Sequence, residues 1–303
     1  MKKLSVVCWV ALLVLMPLML WAGPYSSIVA FGDSLSDNGY VEDGYGFGTY
    51  SNGDVWVEYL ADSDHLNCTL YDYAFGGAKT DQSHIYYTDS YGLNWQVDQF
   101  LSGQFQNSPA IADDVLFTVW AGGNDFLSMG SADPYQVVMD AVFNIGLAVT
   151  KLAEAGAKNI LVANLPNLGA TPLNNQDPYA SYMAQQLTLG FNDGLAYGML
   201  GLESSYSDIN FYMLDAYGIL ENVLADPDKY GFDNTTGRWI DDPNTLDTYL
   251  FWDDIHPTTQ AHTMLAGYAQ AEVAPVPEPA TMILLGTGLV GIAGFRRRFF
   301  TRN

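Results

Sequence analysis

Three short apolar runs in this chain each end on a polar turn that contains glycine. Ser27 to Phe31 runs into Gly32-Asp33-Ser34, Leu70 to Phe75 into Gly76-Gly77, and Asp114 to Trp120 into Ala121-Gly122-Gly123-Asn124-Asp125. Runs this short and this uniformly apolar read as strands buried on both faces, the habit of a parallel sheet. Two more follow, Asn159 to Asn164 and Asn210 to Leu214. Helical patterns lie between them, at residues 54–61, 95–104 and 180–202. Asp133-Pro134 supplies a cap and a first residue for a long helix to about Ala155, which Gly156 ends. A last helix is expected from His256-Pro257 to about Glu272. Strands and helices in alternation specify a parallel sheet covered by helices on both faces. Ligands bind such sheets outside the carboxyl ends of the strands, so the three turns are expected to share one rim.

Both ends of the chain read as addresses. Met1-Lys2-Lys3, an uncharged run from Leu4 to Trp21, and Ala22 before Gly23-Pro24 predict a secretory signal peptide over residues 1–22, removed by signal peptidase. At the other end, Val276-Pro277-Glu278-Pro279 precedes an apolar stretch from Ala280 to Phe295, and Arg296-Arg297-Arg298 follows. A stretch of this length with flanking Phe can enter a bilayer, the arginines staying cytoplasmic. The tripartite order resembles the PEP-CTERM sorting signal of Gram-negative bacteria, here residues 275–303. That resemblance implies cutting by an exosortase-type enzyme, transient membrane contact through the apolar helix, and delivery to the cell envelope or the extracellular space. Residues 23–274 remain as one folded domain, with no internal repeat.

Hydrophobic residues make up 49% of the chain and charged residues 15%, so it can bury a sizeable core. The charge sits in the middle: between the two end segments, five cationic side chains face 33 carboxylates, a formal −28. Such a surface repels nucleic-acid phosphates and suits solubility in an external medium. Cys8 falls in the signal segment, which leaves Cys68 without an internal partner, a structural thiol. Asp241-Asp242-Pro243-Asn244 lacks the ligand spacing of a calcium loop and reads as a solvated turn. No metal or cofactor is expected. His65, His84 and His262 read as surface or helix residues.

A serine hydroxyl is a weak nucleophile that needs a base, an orienting carboxylate and donors aimed at the developing oxyanion. Each part has a candidate at the expected rim. Ser34 follows the first strand. His256 lies in Phe251-Trp252-Asp253-Asp254-Ile255-His256-Pro257-Thr258, where either Asp253 or Asp254 can orient it. Gly76 or Gly77 can bring a backbone N–H close to a substrate, Asn124 offers a side-chain amide, and the Ser34 N–H completes the hole.

Val29-Ala30-Phe31-Gly32-Asp33-Ser34-Leu35-Ser36-Asp37-Asn38-Gly39 resembles the first block of the GDSL, or SGNH, hydrolases. Tyr73-Ala74-Phe75-Gly76-Gly77-Ala78 is similar to the glycine block, Gly122-Gly123-Asn124-Asp125 to the asparagine block, and Asp253 to His256 to the closing Asp-x-x-His block. All four stand in the family order. The resemblance implies a three-layer α/β/α sandwich with a central parallel sheet, flavodoxin-like in arrangement. It implies an ester hydrolase with Ser34 as nucleophile, His256 as base, Asp253 as orienter, and Ser34, Gly77 and Asn124 as oxyanion donors. The substrate would be an ester of a lipid or an acylated sugar. Acyl transfer from the same intermediate and a non-catalytic matrix role are the alternatives. Asp54 stands where the family usually carries Arg. Loops after Gly39, between Lys79 and Trp95, and from Asp226 to Thr248 are expected to shape the pocket.

Overall fold

The computed structural model describes residues 24–39, 48–88, 90–105, 107–243 and 248–274. Its main sheet has five strands: β1 (Ser27–Gly32), β2 (Thr69–Asp72), β3 (Val115–Trp120), β4 (Asn159–Ala163) and β5 (Asn210–Leu214). Neighbouring strands all pair in parallel, in the order β2-β1-β3-β4-β5. This is the flavodoxin-like order, whose switch point lies between β1 and β3. Every residue of β1, β3 and β4 is buried, as their uninterrupted apolar character requires.

Nine α-helices are described: α1 (Trp56–Ala61), α2 (Leu93–Leu101), α3 (Gly123–Leu127), α4 (Pro134–Glu154), α5 (Pro172–Asn175), α6 (Pro178–Ser205), α7 (Ala216–Ala225), α8 (Pro227–Tyr230) and α9 (Thr259–Val273). Successive strand residues point to opposite faces, and the cores divide accordingly. Val29 and Phe31 of β1 join a core with α2, α4 and α6. Ile28 and Ala30 join a second core with α1, α7 and α9. The result is the expected three-layer α/β/α sandwich. Residues 1–22 and 275–303, read as signal peptide and sorting signal, lie outside the described residues.

Local boundaries have local causes. Asp133 caps α4 by accepting the Tyr135 N–H, as the Asp-Pro pair predicts. β2 is bounded at Asp72, yet the N–H groups of Tyr73 and Phe75 go on donating to the Ala30 and Gly32 carbonyls of β1, at 2.8 and 3.1 Å, while the Asp72 carboxylate accepts the N–H groups of Ala74 and Asn38 at 3.0 Å each. α7 has no counterpart in the sequence reading; Asp215 caps it, accepting from the Gly218 N–H. Beyond it, β6 (Asn234–Arg238) and β7 (Tyr249–Phe251) form a small parallel pair. Leu220, Val223, Phe232, Leu250, Phe251 and Ala261 make a third apolar cluster there.

Candidate active site

Ser34 sits in the turn that leaves β1, its side chain buried at 7% exposure. The turn is wound tightly: the N–H groups of Ser36 and Asp37 both donate to the Asp33 carbonyl at 3.0 Å. Gly32 precedes it, opposite Trp120 of β3. A Cβ there would lie 2.2 Å from the Trp120 carbonyl oxygen, so only glycine fits.

The neighbouring turns are tied to this one by carboxylates and amides. Gln96 of α2 accepts from the Gly32 N–H at 2.9 Å and donates back to its carbonyl at 2.8 Å. Asp37 accepts from the Gly76 N–H at 2.7 Å. Asn124, in the first turn of α3, donates to the Ala78 carbonyl at 3.0 Å. Asp125 accepts from the Thr80 N–H and hydroxyl at 3.0 and 2.7 Å. The glycine and asparagine blocks are thereby held against the nucleophile turn.

His256 arrives from the far end of the chain. Its Nε2 lies 2.7 Å from Ser34 Oγ, and its Nδ1 lies 2.8 and 2.9 Å from the two oxygens of Asp253. A carboxylate only accepts, so Nδ1 carries the proton and Nε2 keeps its lone pair toward Ser34. Asp253 also accepts the backbone N–H groups of Ile255 and His256, which curl the segment into a closed turn. Burial works against the charge on Asp253. The hydrogen bond from His256, the charge that the imidazole takes on when protonated, and those two N–H groups outweigh it and hold the carboxyl below the usual carboxylate range. The Tyr50 ring lies against the imidazole, centroids 5.1 Å apart.

The geometry distinguishes the paired candidates. Asp254 turns outward and receives Arg238 Nη1 at 2.9 Å. The Gly76 N–H is taken by Asp37. The N–H groups of Gly77 and Ser34 have no hydrogen-bond partner among the described residues. Gly77 has φ +90°, a conformation that glycine adopts without strain. Asn124 spends one amide hydrogen on Ala78 and keeps the other.

Several residues escaped the sequence reading. His84 is neither a surface nor a helix residue, at 4% exposure, whereas His262 is the helix residue expected, in α9, and is fully buried there. His84 packs under the glycine turn, where a Cβ on Gly77 would meet its Nε2 at 2.6 Å. In α9, His262 Nδ1 accepts the Trp56 N–H at 3.2 Å, and burial together with the charge of His256 lowers its pKa to about 3, so it stays neutral. Asp33, Asp37 and Asp125 form a buried acidic set. Burial raises Asp33 to about 7 and the other two to about 6. Cys68 is half-buried, its thiol pushed up to about 11 by burial. Asp54, at the position where the family carries Arg, is exposed.

A cavity of about 100 Å³ opens beside Ser34 and His256 and reaches Val223, Leu250 and Leu265. The loops expected to form it do not line it among the described residues. Its walls come instead from the turn after β4 (Leu165, Pro166, Leu168), from α7 and from α9. The turn after β4 also lies at a strand's carboxyl end, so the rim rule extended to the fourth strand finds it.

Residues 28–268 match the family model of the GDSL-like lipases and acylhydrolases. Residues 275–298 match the PEP-CTERM protein-sorting motif, which marks export in Gram-negative bacteria. The thermolabile hemolysin of Vibrio parahaemolyticus is 27% identical over 274 residues, covering 80% of this chain and 62% of that protein. The phosphatidylcholine-sterol acyltransferase of Aeromonas hydrophila is 28% identical over 228 residues, 70% of this chain and 64% of that one. The chain thus spans less than two thirds of the length of these curated relatives. Among solved structures, the aryl esterase of M. smegmatis superimposes with a TM-score of 0.50 at 17% identity, over 82% of this chain and 98% of that one, a likeness of fold. With its four sequence blocks gathered on one rim of a flavodoxin-like sheet and the family match running almost the length of that fold, this chain belongs to the GDSL-like lipase/acylhydrolase family.

Proposed function

We propose that the protein is an exported serine ester hydrolase that works through an acyl-enzyme on Ser34. The unbroken contact from Asp253 through His256 to Ser34, at 2.8 and 2.7 Å, carries this reading. Ser34 Oγ attacks the ester carbonyl as His256 Nε2 takes its proton. Asp253 holds the imidazole in the required tautomer and stabilises the imidazolium. The N–H groups of Ser34 and Gly77 and the free amide hydrogen of Asn124 receive the oxyanion. His256 then gives its proton to the departing alcohol, and water, activated by the same nitrogen, releases the acid. Turnover of p-nitrophenyl esters by the full chain and by Ser34→Ala tests this; equal rates would overturn it.

Acyl transfer to an alcohol is a second outcome of the same intermediate, supported by likeness to an acyltransferase. Product analysis with a competing acceptor alcohol separates the two. Residues 1–22 act as a signal peptide for signal peptidase, residues 23–274 as the hydrolase domain, and residues 275–303 as the segment an exosortase-type enzyme removes after transient membrane contact. The sorting-motif match supports delivery to the envelope or the medium. The formal charge of −23 gives nucleic acid no attraction to the protein.

A further inference from the structure

We infer that the cavity beside Ser34 is a subsite for an aliphatic acyl chain, and that Val223 and Ala261 limit how far the chain can reach. The inference rests on the ester-hydrolase reading and adds which half of the ester goes where.

The cavity runs inward from the surface. Leu127, on its wall, is 44% exposed, whereas Val223 is fully buried and Ala261 is 3% exposed. It therefore ends inside the third apolar cluster, between α7, β7 and α9. Its lining is apolar away from the catalytic groups. The polar side chains on the wall outside the nucleophile turn, Asn124 and His256 are Thr171 and Asn174, which both donate to the Leu168 carbonyl at 2.8 Å, and Trp120, whose buried indole N–H is a single unpaired donor. A sugar or a phosphoglycerol placed there would leave most of its hydroxyls and charges without partners. A hydrocarbon chain meets no such penalty and replaces water on apolar walls.

Chemistry assigns the same half. After Ser34 attacks, the acyl group stays bonded to Oγ while the alcohol must leave past His256 into solvent. A pocket that ends in the core suits the half that stays. An acetyl group would leave nearly all of this volume unfilled. Substrate preference should then follow chain length, because each buried methylene adds up to about fourfold in apparent affinity.

The experiment uses the full chain and two probe series with a constant leaving group. In the first, kcat/KM is measured for p-nitrophenyl esters from acetate to dodecanoate with the wild type, Val223→Phe and Ala261→Leu. The expected result is a rise of at least tenfold from acetate to octanoate in the wild type. Either filling substitution should abolish that rise, so that octanoate is turned over no faster than acetate. The second series needs no variant: p-nitrophenyl alkylphosphonates of increasing alkyl length. Ser34 Oγ bonds to phosphorus, p-nitrophenolate leaves with the electron pair, and the serine proton passes to His256. Inactivation should quicken with alkyl length. A Ser34-dependent enzyme whose rates are flat or fall beyond acetate in both series overturns the acyl subsite alone. Absence of Ser34-dependent turnover for every ester overturns the hydrolase reading and the subsite with it.

Discussion

Nε2 of His256 lies 2.7 Å from Oγ of Ser34, although 222 positions of chain separate the two residues. β1 delivers the serine and the turn after β7 delivers the histidine, so the contact exists only when the sheet and α9 are both in place. It requires an imidazole that is neutral, correctly protonated and held in plane.

Asp253 supplies that hold. Asp253→Asn keeps the shape but places a donor opposite Nδ1, favouring the wrong tautomer. kcat is expected to fall about 10⁴-fold with KM little changed. Asp254→Asn loses only an exposed pair with Arg238, worth at most about 1 kcal/mol, and should keep near-wild-type kcat. Steady-state kinetics of the two variants checks the assignment; comparable losses in both would contradict it.

Asn124 is expected to act on the transition state and not on the bound ester. Asn124→Ala should lower kcat by about 100- to 1000-fold at nearly constant KM. A change confined to KM would remove Asn124 from the oxyanion site.

Two glycines give opposite expectations for one substitution. At Gly77, φ is +90° and a Cβ would lie 2.6 Å from His84 Nε2. Gly77→Ala should cost about 1–3 kcal/mol of stability and most of the activity. Gly146 lies within α4 with open space at its Cβ position. Gly146→Ala should stabilise by about 0.5–1 kcal/mol with activity unchanged. Thermal melts and ester turnover on both variants provide the check.

Asp33 should leave a signature in stability against pH. Burial raises its carboxyl from 3.8 in the unfolded chain to about 7. Between these values the folded protein keeps a proton that the unfolded chain has released. Stability from this group is therefore full below about pH 4 and is lost as pH rises through about 7. Asp33→Asn keeps an oxygen for the Leu35 N–H and removes the titration. The melting temperature of the variant minus that of the wild type should be larger at pH 8 than at pH 4. An equal difference at both pH values would contradict the raised carboxyl.

Ser34, Asp253 and His256 were legible because each stands beside a strong local pattern. A buried strand ends one residue before Asp33, and Asp253 closes a short turn onto His256 ahead of Pro257. The sheet was legible for a related reason: strands buried on both faces need no neighbour to explain their composition. The burial of His84 and His262 was not, since a histidine is buried or exposed according to what packs on it: His84 folds back under the Gly77 turn seven residues before it, and α1 reaches His262 from 206 positions away. Gln96, Asp37 and Asp125 tie the three turns together through contacts spanning 64, 39 and 45 positions, which no local period encodes. The cavity walls came from α7 and the turn after β4 because packing between layers, and not loop length, decides where space is left.

Labelling of the full chain with a fluorophosphonate, followed by mass spectrometry of its peptides, tests the central claim most directly. The expected result is one adduct on the peptide bearing Ser34, absent after Ser34→Ala and strongly slowed by His256→Ala. An adduct on another residue, or Ser34 labelling that proceeds equally fast without His256, would contradict it.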